Sequence, residues 1–277
     1  LGLMIDSDNQ LLERMNWFWH GHWATSYQKV DEPYVMLKQL LTMRNFSLGS
    51  YSDFASAMIV DGALIYWLDG QLNTIKAPNE NLSREMMELF TLGVNRYTES
   101  DVRETAKALT GYRVNTSSGA VTFLPNQHFS GSLNFLGTTG SFDANSLSDF
   151  LVKRDDCATF ITERLWYRFI SSMNPVSDSS LTQKFQDRDI SKLIVAIGNH
   201  QALDDPANSM VKSPLDWFIS VSRALNITPS KFPNTAVIRN NLNLLGQHPF
   251  FPPNVGGWPA DQAWLSTSSA QYRINFA

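Results

Sequence analysis

One stretch of the chain combines a clear helical pattern with a dense group of charged side chains. It reads Pro78-Asn79-Glu80-Asn81-Leu82-Ser83-Arg84-Glu85-Met86-Met87-Glu88-Leu89-Phe90. Three carboxylates and one arginine share this segment with an apolar stripe, which predicts a helix that packs on a core. Polar side chains at this density beside a core face indicate either a metal or acid–base site or a buried ion network, and the pattern leaves both open.

Helical periodicity continues on both sides of this stretch. Pro33 near a first turn and Gly93 after a last turn support two of the boundaries. Residues 112–142 lack the pattern and are rich in Gly, Ser and Thr, which predicts a small β-hairpin or long loops. We therefore predict one mainly α domain over residues 1–277, with helices at Leu11–Trp23, Asp31–Thr42, Asp53–Tyr66, Asn79–Leu92, Thr98 or Ser100 to Leu109, Ser146–Leu151, Cys157–Ser171, Ser179–Gln186, Ile190–Asn199, Ser213–Leu225, Pro233–Gly246 and Ala263–Ala277.

Composition excludes several classes of protein. Hydrophobic residues make up 43% of the chain and charged residues 17%, which argues against disorder. A net charge of −4 gives no electrostatic footprint for nucleic acid, and acids at the start of the helix after Gly93 would repel phosphates. No apolar run reaches the ~18 residues of a transmembrane helix. The lone Cys157 excludes an intramolecular disulfide and a cysteine-based metal site.

Two histidines, His20 and His22, lie in an aromatic segment of the first predicted helix. Residues two apart on an ideal helix point roughly 200° away from each other. Both imidazoles could therefore bind one ion only if the helix broke at Gly21. The alternative is one histidine in the core and one facing a groove.

Glu85 and Glu88 are spaced so that their carboxylates can converge on one helix face. Such a pair can share a proton or hold a cation, and it predicts catalytic acid–base groups. With His20, His22 or His128, the two carboxylates would suit a divalent transition metal. The alternative is an ion network in which Arg84 pairs with Glu80 or Glu88.

The loop Pro252-Pro253-Asn254-Val255-Gly256-Gly257-Trp258-Pro259 predicts a stiff backbone with a sharp turn at its glycines. Trp258 and nearby Trp264 could form a stacking wall for a sugar or another flat apolar ligand. The alternative is a rigid loop that plugs the helices, with Trp258 as the stopper. We predict Trp258, Trp264, Arg84 and Asn81 as ligand-binding residues.

Several motifs follow one another in a characteristic order along the chain. They are Glu13-Arg14-Met15 with Trp19-His20-Gly21-His22-Trp23, the stretch from Pro78 to Gly93, Asp101-Val102 to Tyr112, Lys212-Ser213-Pro214, Pro252 to Pro259, and Ala263-Trp264-Leu265-Ser266. Together they resemble the bacterial family called domain of unknown function 1800 over nearly the whole chain. The resemblance implies no particular activity.

What the resemblance implies concerns location and partners. Family members are commonly longer at the N-terminus, and this chain begins at Leu1, so we expect its native N-terminal part to be missing. Many members are exported, often encoded beside a second exported protein, which implies a periplasmic or secreted protein. One motif departs from the family. Phe129 and Leu133 stand where the family usually has Asp and Lys, so a site that used those charges is altered or absent.

Two functional hypotheses follow. The first is a non-catalytic binding or cell-surface-associated protein whose aromatic groove holds a polymer or a partner chain. The second is a metal-dependent hydrolase with Glu85 and Glu88 as ligands or acid–base groups, helped by His20, His22 or His128. The sequence leaves open whether the protein is an enzyme.

Overall fold

The chain is mainly helical, and its strands are few and short. The computed structural model describes residues 1–231 and 234–276. The α-helices lie at Gly2–Asp6 (α1), Gln10–His22 (α2), Tyr27–Val30 (α3), Pro33–Phe46 (α4), Tyr51–Ile59 (α5), Gly62–Trp67 (α6), Asn81–Glu85 (α7), Glu99–Ala108 (α8), Ala144–Lys153 (α9), Asp155–Phe169 (α10), Ser179–Lys184 (α11), Ile190–Gly198 (α12), Pro214–Ala224 (α13), Thr235–Leu244 (α14) and Thr267–Phe276 (α15). The mainly α prediction is confirmed. The predicted helix start at Pro233 and the predicted helix end at Ala277 lie outside the described residues.

Single-turn 3₁₀ helices connect several of these elements. They lie at Gly70–Leu72, Pro125–Gln127, Gln201–Leu203, Pro206–Asn208, Pro229–Lys231 and Asp261–Trp264. The last of these occupies the predicted start of the final helix, which begins only at Thr267.

Polar N-cap residues determine where the helices begin. Thr98 and Asp101 form a capping box at α8, in which each side chain accepts from the backbone N–H of the other residue. The Ser213 hydroxyl accepts from the Asp216 N–H at 3.2 Å, with Pro214 in the first turn of α13. Thr98 is one of the two predicted starts of α8, and Ser213 is the predicted start of α13.

Two predicted helices differ in the structure. The segment Asp53–Tyr66 forms two helices, because the Asp61 side chain accepts from the Leu64 N–H at 2.9 Å and caps a new helix, α6. The segment Asn79–Leu92 begins as α7 and continues as a π-helix over Met86–Thr91. Hydrophobic periodicity does not distinguish a π-turn from an α-turn, so this change could not be predicted from the sequence.

Residues 112–142 form two small antiparallel hairpins. Strand β1 (Tyr112–Asn115) pairs with β2 (Ala120–Phe123), with Tyr112 opposite Phe123. Strand β3 (Leu133–Phe135) pairs with β4 (Thr138–Gly140), with Phe135 opposite Thr138. The predicted break in helical structure is confirmed here, with one hairpin more than expected.

Helix α2 lies between two hydrophobic clusters. Trp19 and Trp23 are fully buried in the larger cluster, together with Phe90 of the π-helix. Trp17 belongs to a smaller cluster with Phe218 of α13 and Leu242 of α14. This position buries both histidines of α2 and brings them near different partners. The prediction of one domain over residues 1–277 stays a prediction.

Helix length and hydropathy bear on the membrane. Across residues 1–231 and 234–276, no helix is both long and apolar enough to span a bilayer.

Candidate functional site

Arg84 of α7 is held in an ion network. Its guanidinium donates to both carboxylate oxygens of Glu99 at 2.7 Å, and it lies 3.5 Å from a carboxylate oxygen of Glu80. This bidentate pair ties α7 to the start of α8. Asn81, the other ligand-binding residue predicted here, is exposed, and its backbone N–H donates to Asn79. Pairing with Glu80 is therefore formed as predicted, whereas the Glu99 partner was missed.

Glu85 and Glu88 lie close enough to influence each other. The Tyr97 hydroxyl donates a short hydrogen bond to the Glu88 carboxylate. The Glu85 carboxyl is half-buried and makes no hydrogen bond or ion pair to any residue in the described part of the chain. Burial, and secondly the charge of Glu88, raise the pKa of Glu85 to about 7. The predicted pair thus interacts through charge, and Glu85 takes no part in the hydrogen bonds that hold Arg84 and Glu88.

His22 is fixed at the C-terminal end of the π-helix. Its Nε2 lies 3.3 Å from the carbonyl oxygen of Phe90 and 3.2 Å from the Tyr51 hydroxyl, which itself donates to the same carbonyl. A proton on Nε2 satisfies both contacts, which leaves Nδ1 as a bare acceptor without a hydrogen bond among the described residues. Burial, and secondly the charge of Arg164, lower the pKa of His22 to about 3, so the imidazole is neutral.

His20 lies in an aromatic surround of its own. Its ring packs against Trp17, Phe250 and Trp258, with centroids 5.3, 4.8 and 5.4 Å away. Burial lowers the pKa of His20 to about 4. Helix α2 runs unbroken through Gly21 to His22, so the two imidazoles point to different neighbours. The helix break that a shared metal ion would need is not formed.

His128 is the last of the predicted metal ligands. Its Nδ1 lies 3.0 Å from the carbonyl oxygen of Thr110 and so donates to it. Leu133 stands at the family's usual lysine position. It is fully buried in β3 and belongs to the larger hydrophobic cluster.

The predicted metal set is not assembled. Among residues 1–231 and 234–276, no three His, Cys, Asp or Glu side chains are arranged to hold a metal ion. The expectation that His20, His22, Glu85, Glu88 and His128 converge is therefore corrected. The physical reason is the unbroken α2 helix, which directs His20 and His22 to different neighbours.

The predicted stiff loop packs against the end of α2. Gly257 has φ +81°, and a Cβ atom there would lie 2.1 Å from the carbonyl oxygen of Gly21. Only glycine fits this approach. Trp258 follows directly and stacks on Trp17, with ring centroids 4.9 Å apart. The contact with α2 thus fixes the orientation of the Trp258 indole.

Trp258 and Trp264 line one cavity together. Its volume is about 630 Å³, and we call it the aromatic groove. Trp264 is only 6% exposed, and its indole N–H makes no hydrogen bond to another described residue. The remaining lining residues were not singled out from the sequence and are Gln28, Asn243, Gly246, His248, Phe251, Pro253 and Pro259.

The aromatic groove is lined by both flat rings and polar side chains. The rings of His248 and Phe251 stack with centroids 4.1 Å apart. The side-chain amides of Gln28 and Asn243 make no hydrogen bonds within the described part of the protein, and both residues are exposed. The stretch His248-Pro249-Phe250-Phe251 is a local sequence signal for these stacked rings. No local pattern links the stretch to Gln28 or Asn243.

Two further cavities adjoin the aromatic groove. A mainly apolar one of about 800 Å³ shares His248 and Phe251 with it. A much smaller one of about 50 Å³, which we call the arginine cavity, shares Trp258 and Pro259 with it and is also lined by His22, Arg164 and Arg168. Arg164 was missed because an arginine on a helix looks like any surface cation in the sequence.

Comparison with known proteins gives one match. The family model described as "Protein of unknown function (DUF1800)" matches residues 1–277. No curated protein and no solved structure matches the chain. The match spans the acidic stretch at residues 78–90, helix α2 with its two histidines, and the loop at residues 252–259, as the order of these motifs suggests. The chain therefore belongs to the DUF1800 family.

Proposed function

We propose that this protein is a non-catalytic binding protein whose aromatic groove holds a saccharide polymer. One observation carries the proposal: Trp258 and Trp264 line a cavity together with the side chains of Gln28 and Asn243, which have no hydrogen-bond partner in the described residues. At about 630 Å³, the cavity has the volume of an ordinary ligand site, which is ~300–1,000 Å³.

The chemistry of the lining favours a sugar over a purely apolar ligand. An indole face offers a flat apolar surface to the C–H face of a pyranose ring. The amides of Gln28 and Asn243 each offer donors and an acceptor, which match the hydroxyl groups at the edge of that ring. A purely apolar ligand would make no use of these amides.

The surroundings of the aromatic groove favour a polymer over a single sugar. The groove is open to solvent and continues into the 800 Å³ cavity at His248 and Phe251. A chain of several rings could therefore occupy both. Because Trp258 is stacked on Trp17, its ring is held in place before binding, which lowers the entropic cost of binding.

The hydrolase alternative has less support. Neither Glu85 nor Glu88 lines the aromatic groove. The metal-ligand set that this alternative requires is not formed within residues 1–231 and 234–276. The pKa of about 7 for Glu85 suits a general acid. Its carboxyl does not line the aromatic groove, so a substrate held there would not contact it.

Export from the cell is part of the proposal. Its support is the family membership, together with the resemblance to exported members. Fractionation of cells that express the full-length native gene tests it. The protein should be recovered from the periplasm or the medium, and recovery only from the cytoplasm would overturn this part of the proposal.

The binding proposal is tested by titration calorimetry against a panel of neutral and acidic polysaccharides. We expect at least one polymer to bind, and Trp258→Ala to weaken that binding about tenfold, which corresponds to ~1.4 kcal/mol. The matched control is Tyr34→Ala, which removes an aromatic ring that is 60% exposed on α4 and does not line the groove.

Two outcomes would overturn the binding proposal. One is that no polymer of the panel binds to the folded wild-type protein. The other is that Trp258→Ala binds as tightly as wild type. Circular dichroism at the titration temperature verifies that each variant is folded, since Trp258 also packs on Trp17.

A further inference from the structure

Arg164 of α10 differs from the arginines around it. It makes no hydrogen bond or ion pair to any residue of the described chain, and its guanidinium carbon lies 5.7 Å from the centre of the Tyr167 ring. Arg168, one helical turn later, donates to Asp216 at 2.6 Å. Arg84 and Arg44 likewise bind carboxylates. Arg164 is thus a cation with its donors unused.

Holding this charge in place is costly. Arg164 is partly buried, and burial lowers the pKa of its guanidinium. A charge withdrawn from water without a partner destabilises a fold, so such a group is ordinarily paired. The other charged side chain at this cavity, Arg168, is already paired with Asp216, and His22 is neutral. The arginine cavity therefore has a net positive lining with no internal anion to neutralise it.

The size of the arginine cavity limits what can enter. A volume of about 50 Å³ has room for one or two water-sized groups, which suits a carboxylate but not a sugar ring. A carboxylate matches the planar fork of a guanidinium and can bind it through two parallel hydrogen bonds. His22 lines the same cavity, and its Nδ1 is an acceptor without a partner among the described residues.

The arginine cavity and the aromatic groove share Trp258 and Pro259. A ligand whose ring stacks in the groove can therefore extend a short charged substituent toward Arg164. We propose that Arg164 is the anion subsite of the groove and that the polymer is an acidic saccharide built from uronic acid units. This inference rests on the proposed function and names its ligand class.

The test compares acidic polymers with their uncharged methyl esters. Polygalacturonate, alginate and hyaluronate are each titrated into the protein as the acid and as the methyl ester, at one fixed salt concentration. We expect at least one acid form to bind about tenfold more tightly than its ester. Arg164→Gln should reduce the affinity for that acid to the level of the ester and leave the ester affinity unchanged.

Two controls separate this subsite from other effects. Arg103→Gln removes the same charge from an exposed position on α8 outside the cavity and should keep the preference for the acid. Without ligand, Arg164→Gln should leave the melting temperature unchanged or raise it, because the lost cation has no partner in the described structure. A clear drop in melting temperature would assign Arg164 a structural role and overturn the inference.

The remaining outcomes distinguish this inference from the proposed function. If no polymer binds more tightly as the acid than as the ester, the anion subsite is overturned, while Trp258-dependent binding of a neutral polymer would still support the groove. Suppose that the uronates bind equally well as acid and as ester, and that Arg164→Gln abolishes tight binding of dextran sulfate. Arg164 then binds a sulfate group, and the assignment of uronic acid units is overturned. If the folded wild-type protein binds no polymer at all, both proposals are overturned.

Discussion

At the scale of single residues, the acidic stretch separates into parts with different roles. Arg84 pairs with Glu80 and Glu99, and Glu88 accepts from Tyr97. Glu85 belongs to neither contact. The pairing with Glu80 could be predicted, because residues four apart on a helix are neighbours. The Glu99 pairing could not, because it depends on how α8 returns to α7.

Glu85 makes the stability of the protein depend on pH. Its folded pKa of about 7 lies above its ordinary value of 4.5, so its protonated form stabilises the fold below pH 4.5, and this stabilisation is lost as pH rises through 7. Glu85→Gln should therefore melt at a higher temperature than wild type at about pH 8 and at nearly the same temperature near pH 4.5. Thermal melts followed by circular dichroism across this range provide the measurement.

The pH comparison supplies its own control. A hydrogen bond or packing effect of the glutamine would change the melting temperature equally at both pH values. A difference between variant and wild type that does not vary with pH would show that the Glu85 carboxyl titrates normally in the folded protein.

At the scale of elements, the helices were predictable and their contacts were not. The Thr98 and Ser213 caps and the stop at Gly93 are local signals that act within one turn. The π-helix is different, because the Phe90 carbonyl near its end accepts hydrogen bonds from side chains of other elements. The Phe90 carbonyl oxygen accepts from the His22 ring, 68 residues away in the sequence, and from the Tyr51 hydroxyl, 39 residues away. Spacing along one helix does not contain that information.

The tryptophan loop depends on a close approach between two glycines. Gly257→Ala would force a Cβ atom into the Gly21 carbonyl at a backbone angle of φ +81°, so we expect a loss of stability well above ~1 kcal/mol. Because Trp258 follows directly, polymer binding should weaken as well. Thermal melts and calorimetry with the bound polymer provide the two measurements.

Gly198→Ala is the matched control for this loop. It makes the same substitution at the end of α12, where a Cβ atom would meet nothing within 4 Å. It should be neutral or stabilising by ~0.5–1 kcal/mol. Equal effects of the two substitutions would contradict a close approach at Gly257.

At the scale of the whole molecule, the aromatic groove is built from distant parts of the chain. Gln28 comes from α3, Asn243 from α14, and both tryptophans from the segment between α14 and α15. The fold class and the two tryptophans could be predicted from local patterns. The amides and Arg164 could not, because their role comes only from the cavity that the folded helices enclose. The converging metal set is not formed, since the unbroken α2 helix directs His20 and His22 to different neighbours.

The central claim is that the aromatic groove binds a saccharide polymer. The most direct test is a crystal structure of the protein with the oligosaccharide that binds most tightly in calorimetry. We predict a pyranose ring against the indole of Trp258, with a ring hydroxyl within about 3.2 Å of the amide of Gln28 or Asn243. A sugar bound elsewhere on the protein, or no oligosaccharide that binds at all, would contradict the claim.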